Sequence, residues 1–240
     1  MKSTVVPSEP SAATYPTTLR NVDLRGPAGR LEALLNEGAP DSQYAALVCH
    51  PHPLGGGTLH NKVVYHAMKV LNGSDWGFRL PVLRFNFRGT GFSEGRHEGL
   101  AESADVSAAL DWLRVEFNLP IIVVGFSFGA AMAFVACCGY DAPAHRNIHA
   151  LAALGLPTQG FGHQFHYPFL ARCTVPKLFL SGDRDWFAPK AELEQVVRTS
   201  ADPKHLVFVP GSDHSFTGHL DSMQRSLATW LAASLKEQVQ

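Results

Sequence analysis

A chain of 240 residues that is 45% hydrophobic and 17% charged is long and apolar enough to bury one substantial core. A formal net charge of -1 gives no basic field for nucleic acid. No apolar run is long enough to span a bilayer, so neither nucleic acid nor a membrane is an expected partner. Residues 1–18 carry one early lysine and then Ser, Pro and Thr without an apolar centre, which fails as a secretory signal. The expectation is a loosely ordered start, a single domain over residues 19–240 and a cytoplasmic location. There is no internal repeat, and no motif sets the oligomeric state.

In chain order, residues 20–24 and 30–35, joined by Arg25-Gly-Pro-Ala-Gly29, predict an antiparallel hairpin. Ala45-Ala-Leu-Val-Cys49 predicts a short buried strand that runs into His50-Pro51-His52-Pro53-Leu54-Gly55-Gly56-Gly57-Thr58. A glycine-rich loop after a strand can cradle phosphate, but the Gly-Lys-Ser or Gly-Lys-Thr of that motif is absent. Pro51 and Pro53 have no N–H, which leaves His52 and Leu54 as nearby backbone donors for a developing negative charge. Residues 61–71 predict a helix ending at Asn72-Gly73, residues 81–87 a strand, and residues 101–117, opened by acidic residues, an amphipathic helix.

Ile121-Ile-Val-Val-Gly125-Phe126-Ser127-Phe128-Gly129-Ala130-Ala131 is a run of β-formers, then G-x-S-x-G, then small helix-formers. A serine on a sharp strand-to-helix turn, with glycines two residues to either side, exposes its hydroxyl as a nucleophile. The helix that follows places the Phe128 N–H beside it. Residues 148–154 predict the next strand, 176–181 another, and 206–210 a third, with helices over 190–199 and 220–236. Strands alternating with helices imply a mostly parallel, doubly wound sheet with its functional loops at the carboxyl ends.

The strand at 176–181 breaks at Gly182-Asp183-Arg184-Asp185, offering two carboxylates, and the strand at 206–210 runs into Gly211-Ser212-Asp213-His214. A serine needs a base and a residue to orient that base, so His214 and either Asp183 or Asp185 are the candidates. Of the twelve histidines, His145, His149, His205 and His219 lack this strand-to-loop setting. His163 and His166 have no Cys or carboxylate partner at ligand spacing, so no metal is expected. Cys49, Cys137, Cys138 and Cys173 stand in or beside apolar runs and read as buried thiols in a reducing compartment.

His-Pro-His-Pro-x-x-Gly-Gly, His60-Asn61-Lys62-Val63-Val64, Leu83-Arg84-Phe85-Asn86-Phe87-Arg88-Gly89-Thr90-Gly91-Phe92-Ser93-Glu94-Gly95 and Gly-Phe-Ser-Phe-Gly together resemble the small bacterial α/β-hydrolases related to dienelactone hydrolase and the X-prolyl dipeptidase-like hydrolases, over roughly residues 20–235. The resemblance implies an α/β-hydrolase fold with an N-terminal antiparallel hairpin, no cofactor, and cleavage of small carboxylic esters, often short-acyl. The order Ser127, Asp, His214 is the one this fold uses. The family pattern Gly-x-x-Asp-x-x-x-Pro selects Asp185, three after Gly182 and four before Pro189, over Asp183. Where other hydrolases have His-Gly-x this chain has His50-Pro51-His52, which points to His52 as the second oxyanion donor, with Leu54 if the register shifts. Dienelactone hydrolase uses a cysteine nucleophile, so lactone specificity is not carried over.

In this fold a cap usually enters after the strand at 148–154, and residues 155–170 are enough only for a flap. Leu156, Phe161, Phe165, Tyr167 and Phe169 are the expected acyl-pocket wall. Asn86 and Arg88 read as structural. An X-prolyl amidase or peptidase is the alternative of the same chemistry, opposed by the lack of a propeller or large cap. A binding protein on a dead hydrolase scaffold is opposed by the presence of all three of Ser127, Asp185 and His214.

Overall fold

The computed structural model describes residues 18–142, 147–160 and 162–236, so most of the start expected to be loosely ordered lies outside the described residues. The first hairpin pairs β1 (Leu19–Gly26) with β2 (Gly29–Asn36), from Leu19 opposite Asn36 to Gly26 opposite Gly29. β3 (Ala45–Cys49) follows, then α1 (Lys62–Asn72), β4 (Val82–Phe85), α2 (Ser103–Phe117), β5 (Ile121–Phe126) and α3 (Phe128–Cys138). Beyond α3 come β6 (Ile148–Leu154), a flap of two very short strands, β7 (Gln159–Gly160) and β8 (His163–Gln164), and then β9 (Lys177–Gly182), α4 (Lys190–Thr199), β10 (Lys204–Val209) and α5 (Leu220–Lys236).

β3 and β5 are buried along their whole length, which demands helices on both faces of the sheet. Alternation along each strand divides the apolar residues between two layers. Leu47, Cys49, Ile121 and Val123 join one cluster with α2, α3 and α4; Val48, Ile122, Val124 and Phe126 join another with α1 and α5. The sheet order is β1-β2-β4-β3-β5-β6-β9-β10, antiparallel where β2 meets β1 and β4 and parallel from β4 to β10. The chain goes from β3 to β4 on one side and returns to β5 on the other. The loops after β3 and β5 therefore leave in opposite directions and open a crevice at the carboxyl ends of the strands.

Three local details differ from the sequence reading. Asn61 stands before α1 as its cap, accepting from the Val63 N–H at 2.9 Å. β4 ends at Phe85, after which Asn86 accepts from Leu59 N and donates to Glu32, while Arg88 forms a buried pair with Asp105 at 2.7 Å; both residues tie loops together. The expectation of four buried thiols is corrected: Cys138 and Cys173, 35 residues apart, form a disulfide, and Cys49 and Cys137 stand outside it as thiols. Adjacent residues on a helix point apart, so Cys138 can face the turn before β9 while Cys137 does not. With two of the four bridged, cysteine usage no longer argues for a reducing compartment. Among the described residues no helix is long and apolar enough to cross a membrane.

Candidate active site

The turn between β5 and α3 holds Ser127 at φ 53 and ψ -121, a conformation a side chain adopts only when its surroundings impose it. Its N–H donates to the Leu154 carbonyl at 2.9 Å, which anchors the turn to β6. A Cβ on Gly129 would lie 2.4 Å from the His50 carbonyl oxygen, and one on Gly125 2.4 Å from Ala130 Cα. Glycine at both positions thus lets strand, helix and the loop after β3 come together beneath the hydroxyl.

His214 arrives on the loop after β10. Its Nε2 lies 2.8 Å from Ser127 Oγ and its Nδ1 2.8 Å from Asp185 Oδ2. A carboxylate can only accept, so Nδ1 carries the proton and Nε2 is left to accept from the serine hydroxyl. The imidazole sits between Phe126 and Phe187, with ring centroids 5.1 and 4.6 Å away. Asp185 is buried; its Oδ2 also accepts from Ser181 Oγ at 2.9 Å, and its Oδ1 accepts from the Phe187 and Ala188 N–H groups at 2.9 and 3.2 Å. Asp183 instead accepts from Gly211 N at 2.7 Å and links the loops after β9 and β10. The structure brings Asp185, and not Asp183, to His214.

Phe128 opens α3, so its N–H has no partner one turn back and lies at the positive end of the helix. His52 packs its ring on that of Phe128 at 4.9 Å and accepts from the Leu54 N–H through Nδ1 at 3.2 Å. The Leu54 N–H is thereby engaged by a side chain, and the Leu54 side chain is 75% exposed. Burial, and then the neighbouring His97, push the His52 imidazole down to about 4, so it is neutral at pH 7. His97 carries no signal in the sequence that marks it for this site. Its ring lies 4.7 Å from that of His52, and its Nδ1 is 2.7 Å from Glu102 Oε1, on a wholly buried carboxylate. His50 donates to the Pro51 carbonyl and accepts from Phe87 N, which occupies both ring nitrogens away from Ser127.

A slot of about 10 Å³ lies over Ser127, lined by His52, Phe128, Pro157, Phe165 and Phe187 among others. Phe165 stands in the wall expected of it. Leu156 and Tyr167 do not: Leu156 is 1% exposed within the apolar cluster under α2 and α3, and Tyr167 is buried with its hydroxyl donating to the Pro157 carbonyl at 2.6 Å. Both are drawn inward because the base of the flap must cover the sheet, and the phenol finds its partner there. Phe161 lies outside the described residues. Pro157, Gln159, Gly160 and Phe187 line the slot without any local pattern to mark them. Among the described residues no group of three or more His, Cys, Asp or Glu is arranged to hold a metal ion.

Residues 78–238 match the model of a family described as an alpha/beta hydrolase domain. An uncharacterised protein of Rickettsia prowazekii is 34% identical over 217 residues, covering 86% of each chain. Among solved structures, an alpha-beta serine hydrolase homologue from Coxiella burnetii is 30% identical with a TM-score of 0.76, over 90% of this chain and 99% of its own. A Xanthomonas campestris protein described as a serine hydrolase without a lid is 27% identical with a TM-score of 0.74, over 91% of this chain and 96% of its own.

Proposed function

Because the chain belongs to the α/β-hydrolase family, we propose that it is a serine hydrolase that cleaves small carboxylic esters of short acyl chain through an acyl-enzyme on Ser127. The observation that carries this reading is the unbroken hydrogen-bonded row from Ser127 Oγ through His214 to Asp185, with 2.8 Å at each step, mounted on a strained turn.

Ser127 Oγ attacks the ester carbonyl carbon while His214 Nε2 takes its proton. Asp185 keeps the imidazole in the required tautomer and stabilises the imidazolium that forms. The carbonyl oxygen becomes an oxyanion, held by the backbone N–H groups of Phe128 and His52. Collapse breaks the bond to the alkoxy oxygen, to which His214 returns the proton, and the alcohol leaves. Water then attacks the acyl-serine with His214 again as base, releasing the acid and restoring the hydroxyl. The neutrality of His52 keeps a full positive charge off the donor loop, so charge develops only on reaction.

A fluorophosphonate probe tests the reading. Labelling of the wild-type protein, lost in Ser127→Ala together with hydrolysis of p-nitrophenyl acetate, is the expected result. Labelling that persists in the variant, or ester turnover within tenfold of wild type, would remove Ser127 from the reaction.

A further inference from the structure

A second and larger space adjoins the slot over Ser127. A groove of about 440 Å³ runs between the flap and the loop after β9, and shares Gln159, Gly160 and Phe187 with the slot. Its size falls within the range of small-ligand sites. Gln159, His163 and Gln164 form one wall and Trp186 and Phe187 the other, with no Asp, Glu, Lys or Arg along it. Trp186 is 74% exposed, although a large aromatic group on a loop would ordinarily be folded under. The Gln159 amide donates to the Trp186 carbonyl at 3.1 Å, so the two walls are joined at the backbone of Trp186 before any ligand arrives.

The side of the ester that enters this groove follows from the proton. On the reading above, His214 must hand its proton to the alkoxy oxygen, so the alcohol part lies on the His214 side of the carbonyl. Phe187, which packs on the His214 ring at 4.6 Å, lines both spaces, but Trp186, on the loop that carries Asp185, lines the groove alone, whereas His52 and Phe128 line the slot alone, which leaves the groove on the His214 side. The acyl part is left with the slot, whose volume of about 10 Å³ matches that of about one water molecule. The two spaces are thus very unequal, and the larger one has an aromatic face and, apart from His163, no ionisable side chain.

We propose that the groove is the leaving-group subsite, and that it selects uncharged esters joining a very short acyl group to an alcohol that carries an aromatic ring, stacked on Trp186. A cationic alcohol would lose hydration there without gaining a carboxylate partner, and an anionic one would meet at most His163. An aromatic one gains the indole face. The inference rests on the serine-esterase reading but extends it to which half of the substrate is large.

Benzyl acetate and methyl phenylacetate test it, because they are isomers with the ring on opposite sides of the ester. Each kcat/KM is divided by the ester's rate with hydroxide. The wild-type ratio is expected to favour benzyl acetate by about tenfold, and Trp186→Ala to reduce that preference by roughly three- to tenfold, with Trp186→Phe restoring most of it. A ratio at or below one, or one that Trp186→Ala leaves unchanged, overturns the subsite while the esterase reading stands. Turnover of neither ester with Ser127 still labelled by a fluorophosphonate also overturns the subsite. Turnover of neither without labelling overturns both.

Discussion

Gly155 and His214 are packed so closely that a Cβ on residue 155 would stand 3.0 Å from both Nδ1 and Cε1 of the imidazole, and 3.2 Å from Asp185 Oδ2. The backbone at Gly155 also has φ 57. The first residue after β6 therefore sets the floor on which the His214–Asp185 hydrogen bond rests. Gly155→Ala adds a methyl group against that bond and forces a left-handed side-chain conformation. A shift of the imidazole by about 1 Å costs on the order of a hundredfold in rate, while the backbone strain costs about 1 kcal/mol of stability. Esterase kinetics and urea unfolding on the same protein check that activity falls far more than stability.

The two aspartates after β9 should separate cleanly by mutation. Asp185→Asn leaves the imidazole with the wrong tautomer and is expected to lower kcat by on the order of 10⁴. Asp183→Asn retains an oxygen to accept from Gly211 N, and its effect on kcat should stay within about tenfold. Reversed severities in equally folded proteins would transfer the orienting role to Asp183.

The slot predicts a preference among acyl chains. Each further methylene that finds no apolar wall gains none of its usual ~0.8 kcal/mol, so kcat/KM should fall or level off between about two and six carbons. Phe165→Ala removes one side of the slot and should shift the optimum to longer chains. A p-nitrophenyl ester series from acetate to dodecanoate measures both. A continuous rise to twelve carbons in the wild-type protein would mean that an extended acyl groove exists.

Lys177 gives a stability prediction distant from the reaction. It is wholly buried in β9, its ammonium donating to the Cys173 and Val175 carbonyls, and burial pushes its pKa down to about 8. Because the folded value lies below the unfolded one, the unfolded chain binds more protons as pH passes through this window. The penalty for keeping the ammonium buried is fully present below pH 8 and is relieved as pH rises towards 10. Relative to Lys177→Met, the wild-type protein should gain stability on the order of 1 kcal/mol between pH 7.5 and 9.5, after discounting for solvent near the group. Paired urea titrations at the two pH values read this difference and cancel the titration of tyrosine and cysteine elsewhere.

Much of this arrangement is written locally in the chain. The turn at Ser127 is legible because strand-formers, glycine spacing and small helix-formers all agree within a dozen residues. The loops bearing Asp185 and His214 are legible because each follows a continuous apolar run. The distinction between Asp183 and Asp185 needed a family pattern, since only tertiary packing decides which carboxylate turns inward. The inward turn of Leu156 and Tyr167 is not legible, because aromatic and aliphatic residues in a flap carry no periodicity that tells inside from outside. The pairing of Cys138 with Cys173 spans 35 residues and depends on where α3 ends relative to the chain before β9. His97 and Glu102 are hidden for a similar reason: they meet across an irregular segment, and Glu102 stands just before α2, where no local pattern marks a carboxylate as buried.

The sheet order divides the reacting groups unevenly between a protected centre and an outer rim. Ser127 follows β5, which has sheet neighbours on both sides, whereas His214 hangs from β10, the last strand, paired with β9 alone and only half-buried along most of its length. Local opening of an edge requires less free energy than opening of a centre. Detachment of β10 would carry the base away from a nucleophile whose own turn stays intact. On warming, hydrolysis should therefore fade before the far-ultraviolet circular dichroism of the sheet changes, and the amides of β10 should exchange with solvent deuterium ahead of those of β5. The protein's working temperature is then set by the anchorage of one peripheral strand more than by the strength of its core.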